Sequence, residues 1–245
     1  MQVFHCREQQ TLHRVHFFQP TVLLILRGTK QLSGGTHQQC EEGNMLAVAA
    51  GHEFPFANVP RDFYMALAIA FEAEDFPVRA AQSSTPKLTM HAISEAVLTL
   101  THQLMALAPA DLPPQILASR RKEIASLLTQ QELDAALRCP SQPTWRQRVV
   151  SLLQNDIARD WRLEEVCRAL ATSESNLRRH LAREGCGFRD LLEDLRLTYG
   201  LGMIQTTALP INQVALACGY QSASRFSERF KQRFETTPSE LRSAL

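Results

Sequence analysis

Residues 211–242 read INQVALACGYQSASRFSERFKQRFETTPSELR, and this stretch repeats a pattern that residues 162–181 already carry as RLEEVCRALATSESNLRRHL. Ile211, Val214, Ala215 and Cys218 stand at i, i+3, i+4 and i+7, the spacing that Leu163, Val166, Cys167 and Leu170 show 48 residues earlier. Apolar residues at that period line one face of a helix, so the same helical face is buried twice. In each copy a short turn of small polar residues follows, then a second amphipathic helix anchored on Leu177 and Leu181 or on Phe226 and Phe230. Each copy reads as a helix-turn-helix.

The surrounding residues frame the two copies. Thr144 is placed to cap a preceding helix whose apolar positions are Trp145, Val149, Leu152, Leu153 and Ile157. Phe188, Leu191, Leu192, Leu195 and Tyr199 form one stripe on a longer helix reaching about Thr206, which sets the two motifs at a fixed separation. Pro210 suits the first turn of the next helix, and Thr237-Pro238-Ser239-Glu240 is a capping box that opens the last one. Two recognition helices joined in this way can reach successive major grooves, roughly 34 Å apart, from a single chain.

The apolar anchors decide which residues remain for DNA. With Leu177 and Leu181 inward, the first recognition helix presents Ser175, Asn176, Arg178, Arg179 and Arg183. With Phe226 and Phe230 inward, the second presents Ser224, Arg225, Ser227, Glu228, Arg229 and Lys231. Arginine bidentate to guanine is the commonest specific contact, which puts Arg178 and Arg179 first, and Glu228 can accept from a cytosine amino group. Taken singly, each charge fits a solvated helix face better; the duplicated context shifts the balance toward DNA.

Charge divides the chain in the same place. Residues 1–142 carry 11 Lys/Arg and 13 Asp/Glu, net −2, whereas 143–245 carry 15 and 12, net +3. The six cysteines show no Cys-x-x-Cys and no regular framework, so buried, reduced thiols in a cytoplasmic protein are expected, with Cys186 the one candidate for reactivity. No apolar run approaches the roughly 18 residues of a membrane span, so no membrane partner is expected.

Residues 1 to about 80 read as short strands between turn signals: a run at 22–26, then 45–49, 53–59 and 64–71. Such closely spaced strands suggest a small antiparallel barrel or sandwich. In the last of them Met65, Leu67, Ile69 and Phe71 alternate with Ala66, Ala68 and Ala70, so one face is bulky and the other nearly bare. That bare face either leaves an effector cavity or lets a second element pack close. Lys87 to Ala108 reads as a helix without strand alternation, and Ile116 to about Leu137 as a second; Pro140 and Pro143 mark a linker. The helices can pack on the barrel, pair with a second subunit or brace the C-terminal domain. The expected organisation is α+β, with 1–85 a regulatory β-barrel, 86–140 a helical dimerisation or bracing segment, and 141–245 the DNA-binding domain.

Residues 143–245 resemble the DNA-binding domain of the AraC/XylS family of bacterial transcription regulators, above all in IxxVAxxxGYxSxSRFSxxFKxxFxxTPSxLR across 211–242. The resemblance implies a domain of about seven helices, base contacts at Ser175, Arg178, Arg179, Ser224, Arg225, Ser227 and Glu228, binding to double-stranded DNA upstream of promoters, and often activation through RNA polymerase. QPTVLLILRGTKQL, EEGNMLAVAAGHEFPF and YMALAIAF are similar to the cupin-like N-terminal domain of one branch of that family, and the helices that follow are placed like its dimerisation helices, which implies a homodimer.

Three departures bear on stability. Glu235 stands where the family usually has glycine, Arg162 occupies an N-cap position, and Gly200 and Gly202 interrupt the connecting helix, either softening it or giving close helix packing. HQQCEEG at 37–43 and His13-Arg-Val-His16 lack the His-x-His pair and carboxylate of a cupin metal centre, and neither a P-loop nor a Gly-x-Ser-x-Gly motif occurs, so no catalytic residue, cofactor or metal is expected. Eight histidines, five of them before residue 53, could also sense pH. The expected function is therefore transcription regulation through DNA, with a possible small-molecule effector. The alternatives are an N-terminal domain that takes a protein partner or only dimerises, and, more distantly, a cupin-type metalloenzyme fused to a DNA-binding module.

Overall fold

The computed structural model describes residues 1–33, 38–76, 86–106, 113–138 and 143–245. Among the described residues nine strands come first: β1 (Gln2–Cys6), β2 (Gln10–Phe17), β3 (Thr21–Arg27), β4 (Thr29–Leu32), β5 (Gln38–Glu41), β6 (Asn44–Val48), β7 (His52–Val59), β8 (Tyr64–Ala70) and β9 (Leu88–Ala92). They form two antiparallel sheets, ordered β1-β8-β3-β6-β9 and β2-β7-β4-β5, rather than a barrel closed by a continuous ladder. Gly28 makes the turn from β3 into β4 possible: its φ is +75°, and a Cβ there would lie 2.8 Å from the Val59 carbonyl oxygen.

β8 shows why both faces of a strand matter. Its large residues Leu67 and Ile69, continued by Phe71, enter a core with Val97 and Leu104 of α1 (Glu95–Ala106) and Ile124 and Leu128 of α2 (Pro114–Gln130). Its small residues Ala66 and Ala68 face the other way. Two expectations are corrected here. Leu88–Ala92 is not the start of a helix but an edge strand paired with β6, Leu46 opposite Met90, and α1 begins only at Glu95. The second helix stops at Gln130, because Glu132 turns the chain through positive φ (57°); Leu137 is buried from the turn that follows.

Seven helices follow in residues 143–245: α3 (Trp145–Leu153), α4 (Leu163–Ala169), α5 (Glu174–Arg183), α6 (Phe188–Thr206), α7 (Ile211–Ala217), α8 (Ala223–Phe234) and α9 (Pro238–Ser243). The first helix-turn-helix, α4 with α5, closes over Leu177, Leu181, Val166 and Trp161. The second, α7 with α8, buries Val214, Ala215, Phe226 and Phe230 in a core continuous with Leu12, Leu23 and Phe56 of the sheets. The second motif is thereby seated on the β domain.

The departures acquire physical meaning in this arrangement. Glu235 ends α8 in the left-handed region, φ 59°, where a non-glycine residue costs on the order of 1 kcal/mol. Arg162 is the N-cap of α4 with no cap bond from its side chain, and its N–H is taken instead by the Glu165 carboxylate at 3.2 Å. At Gly200 a Cβ would lie 2.9 Å from the Phe226 ring and 3.1 Å from Cys218 Sγ, so this glycine serves close packing of α6 on α7 and α8.

Candidate nucleic-acid interface and ligand cavity

Both recognition helices are capped the same way. Ser173 Oγ accepts from the Asn176 N–H at 3.2 Å, and Ser222 Oγ accepts from the Arg225 N–H at 3.3 Å. On α5 the burial of Leu177 and Leu181 leaves Ser175, Arg178, Arg179 and Arg183 exposed, with Asn176 half-buried. Arg178 is steadied by Glu174 at 3.2 Å and Arg179 by the Asn176 amide oxygen at 2.8 Å, pairs that hold the guanidiniums out from the helix without burying them. On α8 Ser224, Arg225, Glu228 and Lys231 are exposed and Ser227 is half-buried. Arg229 differs: its guanidinium grips the Glu193 carboxylate of α6. The residues named from sequence thus form two separate solvent-facing sets. Between them runs α6, whose 19 residues span about 28 Å.

A second feature lies between the sheets and the helical domain. A cavity of about 400 Å³ is lined by Ala66, Ala68 and Ala70 of β8, by Phe4, Phe17 and Phe56, and on its far side by Thr198, Leu201, Gly202 and Gln205 of α6. Lys30, 3% exposed, also lines it. The Lys30 ammonium lies 3.5 Å from the Phe56 ring centroid and donates to Asn58 Oδ1 at 2.5 Å, and among the described residues no carboxylate pairs with it. Burial pushes this amine down to about 7, partly opposed by the thiols of Cys40 and Cys6. The Tyr64 hydroxyl, on the same wall, is buried without a hydrogen-bond partner among the described residues.

The comparisons with known proteins fall into two sets. The model of a helix-turn-helix domain matches residues 166–244. The urease operon transcriptional activator of Escherichia coli is 36% identical over 96 residues, 39% of this chain and 32% of that protein. The TCP pilus virulence regulatory protein of Vibrio cholerae is 33% identical over 94 residues, 38% of this chain and 34% of that protein. Residues 166–244 form a helix-turn-helix domain of the AraC/XylS family. The match spans about a third of the length of these relatives. Over nearly the whole chain the fold is similar to ToxT of Vibrio cholerae: a ligand-free variant superposes with a TM-score of 0.71 over 99% of this chain and 96% of that one, at 16% identity. Wild-type ToxT with a bound unsaturated fatty acid gives 0.68 over 100% and 94%, again at 16%.

The AraC-type domain is tied to the sheets by an ionic cluster that no sequence pattern indicated. Arg233 of α8, 5% exposed, donates to Glu53 of β7 at 2.6 Å and stands 3.4 Å from Asp194 of α6, while Arg14 holds the other Glu53 oxygen at 3.2 Å. Burial alone would raise the Glu53 carboxyl, but the hydrogen bond and charge of Arg233, then those of Arg14, outweigh it and hold the group below its usual value. His16 completes the cluster, stacked on Phe18 at 4.3 Å, with Nδ1 3.8 Å from the Glu53 carboxylate and neither ring nitrogen hydrogen-bonded among the described residues. His16, Glu53 and Asp194 bring ligand-type atoms within 4.8 Å of one another. The Arg233 guanidinium already supplies the positive charge between those carboxylates, so the cluster works as a salt-bridged joint. Of the other metal candidates weighed from sequence, Cys40 is fully buried and His37 lies outside the described residues.

Proposed function

We propose that this chain is a sequence-specific DNA-binding transcription regulator that activates its target promoters. The observation that carries it is the pair of capped helices α5 and α8, each presenting exposed arginine and serine side chains from a buried apolar anchor and set apart by the length of α6. Ser175, Asn176, Arg178, Arg179 and Arg183 take one major groove, and Ser224, Arg225, Ser227, Glu228 and Lys231 the next. Genome-wide mapping of sites bound by the full chain is the test: a shared motif with two half-sites about 10 base pairs apart supports this function, and a sequence-independent distribution overturns it.

The cavity is the effector site in this proposal, and its chemistry favours a long apolar carboxylic acid. The aromatic and alanine walls suit a hydrocarbon chain, while Lys30 and Tyr64 offer a cation and a hydroxyl donor to a carboxylate. The ToxT structures, one with an unsaturated fatty acid and one with an aryl-substituted butenoic acid, support a site of this kind in a similar fold. Calorimetric titration with oleate tests it, with Ala68→Leu and Lys30→Met as the variants expected to abolish binding. Equal binding by both variants removes the cavity from consideration.

A further inference from the structure

Four buried side chains form one hydrogen-bonded chain across the boundary between the sheets and the AraC-type domain. Lys30 Nζ donates to Asn58 Oδ1 at 2.5 Å, and Asn58 Nδ2 donates to Gln10 Oε1 at 3.4 Å. The same Gln10 oxygen accepts from Gln205 Nε2 of α6 at 3.1 Å, and Gln10 Nε2 donates to the Leu241 carbonyl of α9 at 3.3 Å. Lys30, Asn58, Gln10 and Gln205 are 3, 2, 4 and 6% exposed, so bulk solvent has little access to these bonds. One end of the chain is the cation of the cavity. The other two ends are helices of the DNA-binding domain.

Each bond has a direction, and the directions agree. The ammonium can only donate, so it fixes the Asn58 amide with its oxygen toward Lys30 and its nitrogen toward Gln10. Gln10 must then present its oxygen to Asn58 and Gln205 and its nitrogen to Leu241. A neutral amine both donates and accepts, which removes the reason for that orientation at the first link. Buried polar networks are stabilising when complete and costly when partly satisfied, so reversing one amide is felt along the whole chain.

We propose that Lys30, Asn58, Gln10 and Gln205 form a relay through which the charge and occupancy of the cavity set how firmly α6 and α9 are held on the sheets. Burial has already brought the Lys30 amine near its midpoint at neutral pH, so a carboxylate in the cavity acts on a group poised to respond. Because α6 separates the two recognition helices, tightening its grip on the sheets fixes their relative placement. The relay rests on the effector proposal only for what changes Lys30. The wiring from Lys30 to the helices stands on the hydrogen bonds alone.

Hydrogen–deuterium exchange of the full chain separates the two. In wild type, oleate is expected to slow exchange at 198–206 and 238–245 by at least about threefold, and Lys30→Met without ligand to speed the same segments by a similar factor while β3 is unchanged. Gln10→Leu is expected to bind oleate within about threefold of wild type yet lose the ligand's effect on 238–245. Wild-type exchange of both segments in ligand-free Lys30→Met and Gln10→Leu overturns the relay, as does oleate protecting 238–245 equally in Gln10→Leu. If oleate does not bind wild type but Lys30→Met still loosens the helices, the effector proposal fails and the relay stands. Should Lys30→Met not fold, Asn58→Leu breaks the same link and is judged by the same segments.

Discussion

Arg233 of the second recognition helix is almost fully buried and spends its charge on Glu53 of β7, 2.6 Å away, rather than on solvent or DNA. Two residues 180 positions apart thereby join the second helix of the C-terminal motif to the β domain. Removing one partner of such a pair leaves the other charge buried and uncompensated, the costly direction of change. Glu53 is about one-third exposed and Asp194 stands nearby, so Glu53→Ala is expected to lose about 2 kcal/mol rather than the full penalty of a completely buried pair. Glu53→Leu with Arg233→Met should recover part of that loss, because the buried guanidinium goes together with its carboxylate, while the partly exposed Asp194 and Arg14 lose their partners to solvent. Urea unfolding of the single and double variants is the measurement, and equal stability of wild type and Glu53→Ala would show the pair to be idle.

The same joint makes stability depend on pH through His16. Burial, then the charge of Arg146, lowers the imidazole from 6.5 to about 4. Above pH 6.5 the ring is neutral whether the chain is folded or not, and the group has no effect. As pH falls below that value the unfolded chain takes up a proton that the folded chain refuses, so stability declines until about pH 4, by up to about 3 kcal/mol. Replacing His16 by Phe, which keeps the stack on Phe18, should flatten the slope between pH 7 and 5, where few carboxylates titrate. An unaltered slope in that variant would assign the pH dependence to other groups.

The elements that declared themselves in the sequence are those whose pattern is local. The stripes of α4, α5, α7 and α8 follow a single helical period, and β8 alternates large and small residues without a break. β2 does not: its register shifts between Leu12 and Val15, where Arg14 takes positive φ (52°), so QTLHRVHF shows no alternation to read. β9 is too short and too close to α1 for its five residues to stand out from the helix that follows. Gln10, Asn58, Gln205 and Arg233 were illegible for a different reason. Each is a polar residue whose burial depends on partners far away in the chain, and nothing in its neighbours announces that.

Gly200 tests whether close approach or flexibility is the use of glycine in α6. If flexibility were its role, Gly200→Ala would stabilise the helix by about 0.5–1 kcal/mol. The Cβ position instead meets the Phe226 ring at 2.9 Å and Cys218 Sγ at 3.1 Å, both fully buried and unable to move aside freely. The expected outcome of thermal unfolding is a net loss of about 1–2 kcal/mol, the usual cost of overpacking after the gain in helix propensity. A raised melting temperature would favour the softer connector.

The two recognition helices are unequal in charge, and this sets an expectation for binding. α5 exposes Arg178, Arg179 and Arg183, of which, among the described residues, only Arg178 pairs with a carboxylate, that of the exposed Glu174, whereas on α8 Arg229 is engaged by Glu193 and Arg233 by Glu53, which leaves Arg225 and Lys231 opposed by Glu228. The first motif should therefore supply more of the affinity and the second more of the discrimination between sequences. Arg179→Ala is expected to weaken binding to a mapped site by about 1–3 kcal/mol and to relax preference at one base position if the side chain reads a base edge. If it contacts phosphate instead, the loss will be uniform across sequences and the salt dependence will fall by about one ion. Fluorescence anisotropy against matched and mismatched sites at several salt concentrations distinguishes these outcomes. Alanine substitutions on α8 that weaken binding more than those on α5 would reverse the assignment.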